Sequence, residues 1–267
     1  MTRPKIAASS YLNTAPLCYS FERGAQMERS TFISDAAPSR CSDLLGAGEV
    51  DAALIPVIEY ARVPNVKIAP GACVASKRKV RSVILVSKVP IVEIGSVALD
   101  TSSRTSAALV RILLGHFHSL NVEYRSAAPR IQDMLESSDG ALIIGVPAML
   151  VPRSSLYVYD LAEEWNRRTG LPFVFAFWAI RVDAVERILE SGVDFVAARR
   201  EGMANIDEIS ETYQARLGLP REEIVSYLTE SISYELDPES LRGLDLFFRL
   251  ACQCEVIDAV RDVDFLS

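Results

Sequence analysis

The segment Asp100-Thr101-Ser102-Ser103-Arg104-Thr105-Ser106 gathers five hydroxyls and one guanidinium where an apolar run ends and a helical pattern begins. The first N–H groups of a helix have no partner within it. Hydroxyls and a cation beside them make a receptor for a carboxylate or phosphate. Ser102, Ser103, Arg104 and Thr105 are the candidate contacts in this group. A second cluster, Ser9-Ser10-Tyr11-Leu12-Asn13, follows the first apolar run and ends in an amide, a group that donates and accepts at once. Ser10, Tyr11 and Asn13 are its candidates. Ser82 is a hydroxyl near the start of the apolar run RSVILVS, Gly145 follows the run at 141–144, and Pro56 stops the run at 52–55. A glycine there lets backbone pass close to a ligand. Each position has a plainer reading too: Asn13 and the Ser/Thr junction as helix caps, Ser82 as a bonded core hydroxyl, Gly145 as a turn residue.

The familiar catalytic sets are missing. There is no H-E-x-x-H, P-loop, G-x-S-x-G or G-x-G-x-x-G. The two histidines, His116 and His118, fall at one helix end and read as surface or C-terminal groups. Glu163 and Glu164 read as solvated. The five cysteines include no C-x-x-C pair and read as buried free thiols of a reducing compartment.

The elements that must hold these groups alternate. Strands are predicted at 5–8, 29–33 and 52–55, with helices at 13–23 and 38–46 between them. A strong strand follows at 81–87. A second series comprises strands at 96–99, 122–124, 141–144 and 156–159, with helices at 102–117, 129–136 and 161–168. The run 172–180 is rich in aromatic and β-branched residues and reads as a strand. From 183 onward the pattern is helical, with Pro220 and Pro238 marking helix starts. Such alternation predicts an α/β protein with two lobes. Lobe one would span 1–89 and 176–267, with C-terminal helices packing back on it, and lobe two 90–175. A central ligand cleft would lie at strand C-terminal ends, where ligands of open α/β sheets bind.

Charge and hydropathy narrow the partners. With 28 Lys and Arg against 35 Asp and Glu, the net charge is −7. That surface repels nucleic acid and anionic lipid, so an anionic ligand must be held by local donors against the overall field. The longest apolar stretches, 141–151 and 171–180, are about half of the roughly 20 residues a spanning helix needs. No signal-peptide layout is visible, and a cytoplasmic protein is expected.

SSYLNTAPL at 9–17, DAALIPVIEY at 51–60, RSVILVS at 81–87, LDTSSRTSAALVRILL at 99–114 and DLAEEWNRRTGLPFVFAFWA at 160–179 together resemble chorismate dehydratase, the first enzyme of the futalosine route to menaquinone. The resemblance spans nearly the whole chain. It implies a type II periplasmic-binding-protein-like fold in a cytosolic enzyme, Asn13 and Ser82 at catalytic positions, and Ser103 and Thr105 at carboxylate-binding positions. It implies a hydro-lyase acting on a small dicarboxylate, with no metal or organic cofactor. One position departs: Gly145-Val146 stands where such enzymes usually read Gly-Asp. With backbone rather than side chain expected to meet the ligand there, the valine should be tolerated. Two rivals remain at this stage. One is the sibling enzyme that makes 1,4-dihydroxy-6-naphthoate, for which a histidine acid/base is expected. The other is a non-catalytic small-anion-binding protein.

Overall fold

The computed structural model describes residues 3–35, 37–100, 102–152 and 155–266. The chain opens with β1 (Lys5–Ser9), α1 (Ala15–Arg23), β2 (Thr31–Asp35), α2 (Pro38–Gly46), β3 (Ala52–Pro56) and β4 (Val66–Ser76). It continues with β5 (Val83–Ser87), β6 (Ser96–Asp100), α3 (Arg104–Arg111), β7 (Glu123–Ala127), α4 (Ile131–Ser137), β8 (Gly140–Ile144), α5 (Val146–Met149), β9 (Tyr157–Asp160) and α6 (Leu161–Thr169). It closes with β10 (Phe173–Arg181), α7 (Val185–Ser191), α8 (Phe195–Ala204), α9 (Ile206–Leu217), α10 (Arg221–Ser226) and α11 (Pro238–Gln253).

Two compact units result. The first holds the described residues up to Ala75, Val174–Pro238 and those from Arg261 on. Its sheet runs β2-β1-β3-β10-β4. β1 pairs in parallel with β2 and β3, and β10 runs antiparallel to β3, with Ala176 opposite Pro56. Its core includes Phe21 against Phe32, Trp178 and Phe195, and Tyr60 edge-on to Phe177. The second unit holds Ser76–Phe173 and Glu239–Val260. Its sheet repeats the plan as β7-β6-β8-β5-β9. β6 is parallel to β7 and β8, and β5 is antiparallel to β8 and β9. Ile84, Val86, Ala98, Met134, Ala141 and Ile143 form one side of its core.

The boundaries differ from the sequence expectation in three ways, each with a physical cause. β5, assigned to lobe one, pairs in the second sheet between β8 and β9. Its five residues are all buried, so an apolar run by itself carries no mark of which sheet it enters. β4 has no counterpart among the predicted strands. Pro70 and Gly71 (φ 72°) lie within it, and both read as loop signals. As the last strand of its sheet, β4 tolerates them, because a proline on an edge strand spoils no central ladder. Finally, α11, expected to pack on lobe one, belongs to the second unit.

The reason for the third difference is a close approach. Phe247 on α11 meets Trp165 and Phe173 edge-on, with ring centroids 6.4 and 5.1 Å away. Trp165 is itself fully buried and donates its Nε1–H to the Pro172 carbonyl at 3.1 Å, so its polar end costs nothing when dried. Gly243 lets the helix come this near, since a Cβ there would stand 2.2 Å from the Pro172 oxygen. Gly243→Ala should therefore destabilise the protein by about 1–3 kcal/mol, the usual cost of overpacking. Urea unfolding measures it, and an unchanged midpoint would contradict the packing.

Candidate functional site

In each sheet the parallel strands finish at one edge, and that edge carries the predicted polar residues. In the first unit, β1 ends at Ser9 and the chain turns at once. The Ser10 N–H donates to the Asp35 carbonyl at the end of β2 (2.9 Å), and the Tyr213 hydroxyl reaches the Ser10 carbonyl (3.4 Å). Leu12–Thr14 form a 3-10 turn that opens into α1, with Pro16 tolerated in the first helical turn. The Thr14 hydroxyl lies within hydrogen-bond reach of both the Ser9 and Tyr11 carbonyls (2.5 and 2.8 Å), which fixes the turn from inside. Pro56 closes β3 at the same edge.

Asn13 is not the helix cap that its sequence position suggested. The cap positions are Tyr11 and Thr14, and neither caps through its side chain. The Asn13 Oδ1 is instead buried without a hydrogen-bond partner among the described residues. A buried carbonyl oxygen in that state costs about 1–3 kcal/mol, and such an atom in a folded protein calls for an explanation. A donor supplied by a ligand would satisfy it.

The second unit presents its own edge. β6 and β8 are parallel and both end there, at Asp100 and Ile144. β5 is antiparallel, so it begins there, and the buried Ser82 immediately precedes it. The Gly145 N–H donates to the Ser82 carbonyl at 2.7 Å. That bond commits the Gly145 N–H to Ser82. The glycine's contribution is conformational, since φ 70° and ψ −154° is a region only glycine enters freely. Val146 begins α5 and is half-buried.

On the other side of Ser82 stands a residue that the sequence reading passed over. Asp160, at the junction of β9 and α6, is 4% exposed. Its Oδ1 accepts from Val80 N–H (3.2 Å), Ala162 N–H and Glu163 N–H (3.1 Å each), and its Oδ2 from Arg81 N–H (2.6 Å). Burial pushes this carboxyl above its ordinary range, and the backbone donors, Arg81 first, pull the other way. The spacing Asp160-Leu-Ala-Glu163 is a helix-start signal that sequence can find. The bonds to Val80 and Arg81 join residues about eighty apart and leave no such signal. Glu164, expected to be solvated, is buried and paired with Arg167 at 2.7 Å.

The residues of the hydroxyl-rich junction differ in their surroundings. Ser102 donates both its N–H and its hydroxyl to Asp100 Oδ1 (2.8 and 2.7 Å), so it shapes the turn. Thr101 lies outside the described residues. Ser103 occupies the cap position of α3 and makes no side-chain cap bond. Ser103 and Thr105 are both buried, while Arg104 is half-buried. His116 and His118 lie at the far end of the helix that starts at Arg104, which continues with π geometry over Ile112–Phe117. At 1.5 Å per residue they are about 20 Å from its beginning. His118 faces Arg168 at 3.1 Å, and burial, then that guanidinium, lowers its pKa.

Two units with three parallel strands, one reversed strand and an edge strand, and polar turns at the ends of the parallel strands, define the periplasmic-binding-protein-like class. Solved structures agree. Protein AF1704 of Archaeoglobus fulgidus superposes with a TM-score of 0.76 at 19% identity, covering 96% of this chain and 98% of that one. The aliphatic sulphonate-binding protein SsuA of Escherichia coli superposes at 0.67 and 14%, covering 100% and 94%. The chain belongs to the menaquinone biosynthesis family, whose model matches residues 4–253. A chorismate dehydratase of Thermus thermophilus is 30% identical over 89% of this chain and 91% of its own. One of Campylobacter jejuni is 29% identical over 62% and 58%.

The Asn13 geometry has a measurable consequence. Asn13→Leu replaces the orphaned amide by an apolar side chain of similar size. It should raise the unfolding free energy of the ligand-free protein by about 1 kcal/mol while removing ligand-dependent stabilisation. Thermal unfolding with and without ligand reads both effects. A destabilised variant would show that the buried oxygen has a structural partner.

Proposed function

We propose that this protein is a hydro-lyase that converts chorismate to 3-[(1-carboxyvinyl)oxy]benzoate. The reading rests on membership of the menaquinone biosynthesis family and on the names of its curated relatives. The structural observation that carries it is Asn13 Oδ1, buried and without a partner among the described residues, in the turn that follows the first strand. Its natural complement is a substrate hydroxyl.

The chemistry suits these residues. Chorismate carries two carboxylates, an enol ether at C3 and a hydroxyl at C4. Loss of the C3 proton and the C4 hydroxyl as water makes the ring aromatic. The C3 hydrogen is acidic through conjugation with the ring carboxylate. Donors that hold this carboxylate more tightly as negative charge moves onto it lower the barrier. Ser103 and Thr105 are assigned to it, with Arg104 beside them. They act as local donors in a chain of net charge −7.

Ser82 hydrogen-bonds the C4 hydroxyl or a carboxylate, and Asn13 orients the substrate as the C3 proton leaves. Neither is a strong base near neutral pH. The proton goes to the substrate's own enolpyruvyl carboxylate, held close enough for an intramolecular transfer, and from there to the departing C4 hydroxyl, which leaves as water and restores the carboxylate. Ser10, Tyr11, Pro56 and Gly145 shape the two edges. The substrate class is thus a small dicarboxylate, and the place of the reaction is the futalosine route to menaquinone. A cytoplasmic location fits the five free thiols. Among the described residues no helix is long and apolar enough to cross a membrane.

Incubation with chorismate should give an aromatic product, followed by ultraviolet absorbance and proton NMR. Absence of product would overturn the assignment. Ser82→Ala and Asn13→Ala should each lower kcat substantially in a folded protein. Thr105→Val should weaken substrate binding about tenfold to a hundredfold, from the loss of roughly 1.5–3 kcal/mol in a bond to a charged group. An analogue lacking the enolpyruvyl carboxylate should bind without losing water; its dehydration at the normal rate would exclude substrate assistance.

A further inference from the structure

We propose that Asp160 is the positioning residue of Ser82: its buried carboxylate ties the chain at Val80 and Arg81 to the start of α6 and so sets where the Ser82 hydroxyl points. This rests on the reading of Ser82 as a substrate-contacting residue. Three observations on the second unit carry it. Asp160 and Ser82 are joined through backbone, since Asp160 accepts from Arg81 N–H at 2.6 Å and Val80 N–H at 3.2 Å, the two residues that lead into Ser82. Arg81 has φ 65°, a conformation that a non-glycine residue keeps only when its surroundings impose it. Asp160 also pairs with Ile84 in the β5–β9 ladder, so the residue that grips the corner is itself held in register with the strand beyond it.

Ser82 is thereby fixed from two sides. Its own carbonyl is held by the Gly145 N–H at 2.7 Å, and the chain just before it is held by Asp160. A carboxylate can do this because its two oxygens serve different ends. Oδ1 accepts from the first turn of α6 and from Val80, while Oδ2 accepts from Arg81. A plain helix cap needs only the first of these oxygens. The second oxygen separates positioning from capping, and two variants exploit the difference. Asp160→Ser retains a hydroxyl that can cap Ala162 and Glu163 but is too short to serve Val80 and Arg81 as well. Asp160→Asn retains one acceptor oxygen and sets an NH2 group against a backbone N–H.

Both variants should show faster amide hydrogen exchange at residues 80–82, with protection in β5, β6 and β8 retained. Both should lose about tenfold to a hundredfold in kcat for chorismate, the scale of a small misplacement of a reacting group. KM should stay within about threefold, because the carboxylate donors on α3 are untouched. Unchanged kcat with loosened amides at 80–82 would overturn the proposal. So would loss of protection throughout β5–β8, or failure of both variants to fold, which would make Asp160 a general stability residue. The parent reading is tested separately by Ser82→Ala. If that variant turns over normally, Ser82 is not a substrate contact and the positioning role falls with it. If Ser82→Ala is impaired and the Asp160 variants are not, only the role of Asp160 falls.

Discussion

The antiparallel pairing of β5 with β8, from Val83 opposite Ile144 to Ser87 opposite Gly140, is the constraint on which the second unit's chemistry depends. Parallel strands bring their C-terminal ends to one edge, and ligand-binding turns collect there. A strand running the other way brings its beginning to that edge. Ser82 lies among the ends of β6 and β8 only because β5 is reversed. The same reversal, made by β10 beside β3, is found in the first unit. In both sheets the reversed strand sits next to a parallel one and under an edge strand. The plan is thus repeated although the residues are not.

At the corresponding edges of the two units, each taken by itself, the hydrogen bonds fall into two kinds. Asp100 with Ser102, Gly145 with Ser82, Thr14 with Ser9 and Tyr11, and Asp160 with Val80 and Arg81 are bonds of the scaffold to itself. They consume donors that would otherwise look available to a ligand. What they leave is small and specific. Asn13 presents an orphaned oxygen, and Ser103 a hydroxyl that caps nothing. A protein of net charge −7 has reason to be selective with the donors it offers an anion, of which the Ser103 hydroxyl is one and the Asn13 oxygen, an acceptor, is not. Repulsion from its surface is screened beyond about 8–10 Å at physiological salt, whereas a hydrogen bond to a carboxylate acts at contact and is stronger for being dry. The buried Asn13 oxygen is a cost to the ligand-free protein.

Much of this was legible in the sequence, and the legible part has a common cause. Helix α2 was expected at the residues where it is found because Pro38 sets its start and the apolar period runs to Gly46. The hydroxyl-rich turn after β6, the Ser-Ser-Tyr-Leu-Asn turn after β1 and the glycine after β8 could all be placed at strand ends, since each is a local change from an apolar run to polar residues. The two histidines could also be placed at one helix end, where they are found. These are short-range signals, and short-range physics decides them.

The rest was settled by pairings between residues far apart. β5 is equally apolar in either sheet, and only its hydrogen bonds to β8 and β9 assign it to the second. β4 looks like a loop through Pro70 and Gly71, and becomes a strand because the edge of a sheet accepts them. α11 joins the second unit because Gly243 lets it touch the Pro172 carbonyl and Phe247 finds Trp165. Asn13 looks like a cap and is not one, and Asp160 looks only like a cap and is more. In each case the residue's own neighbourhood in sequence is compatible with several outcomes. For β5, β4, α11 and Asp160 the choice is made by a partner more than fifty residues away, whose position exists only once the chain has folded.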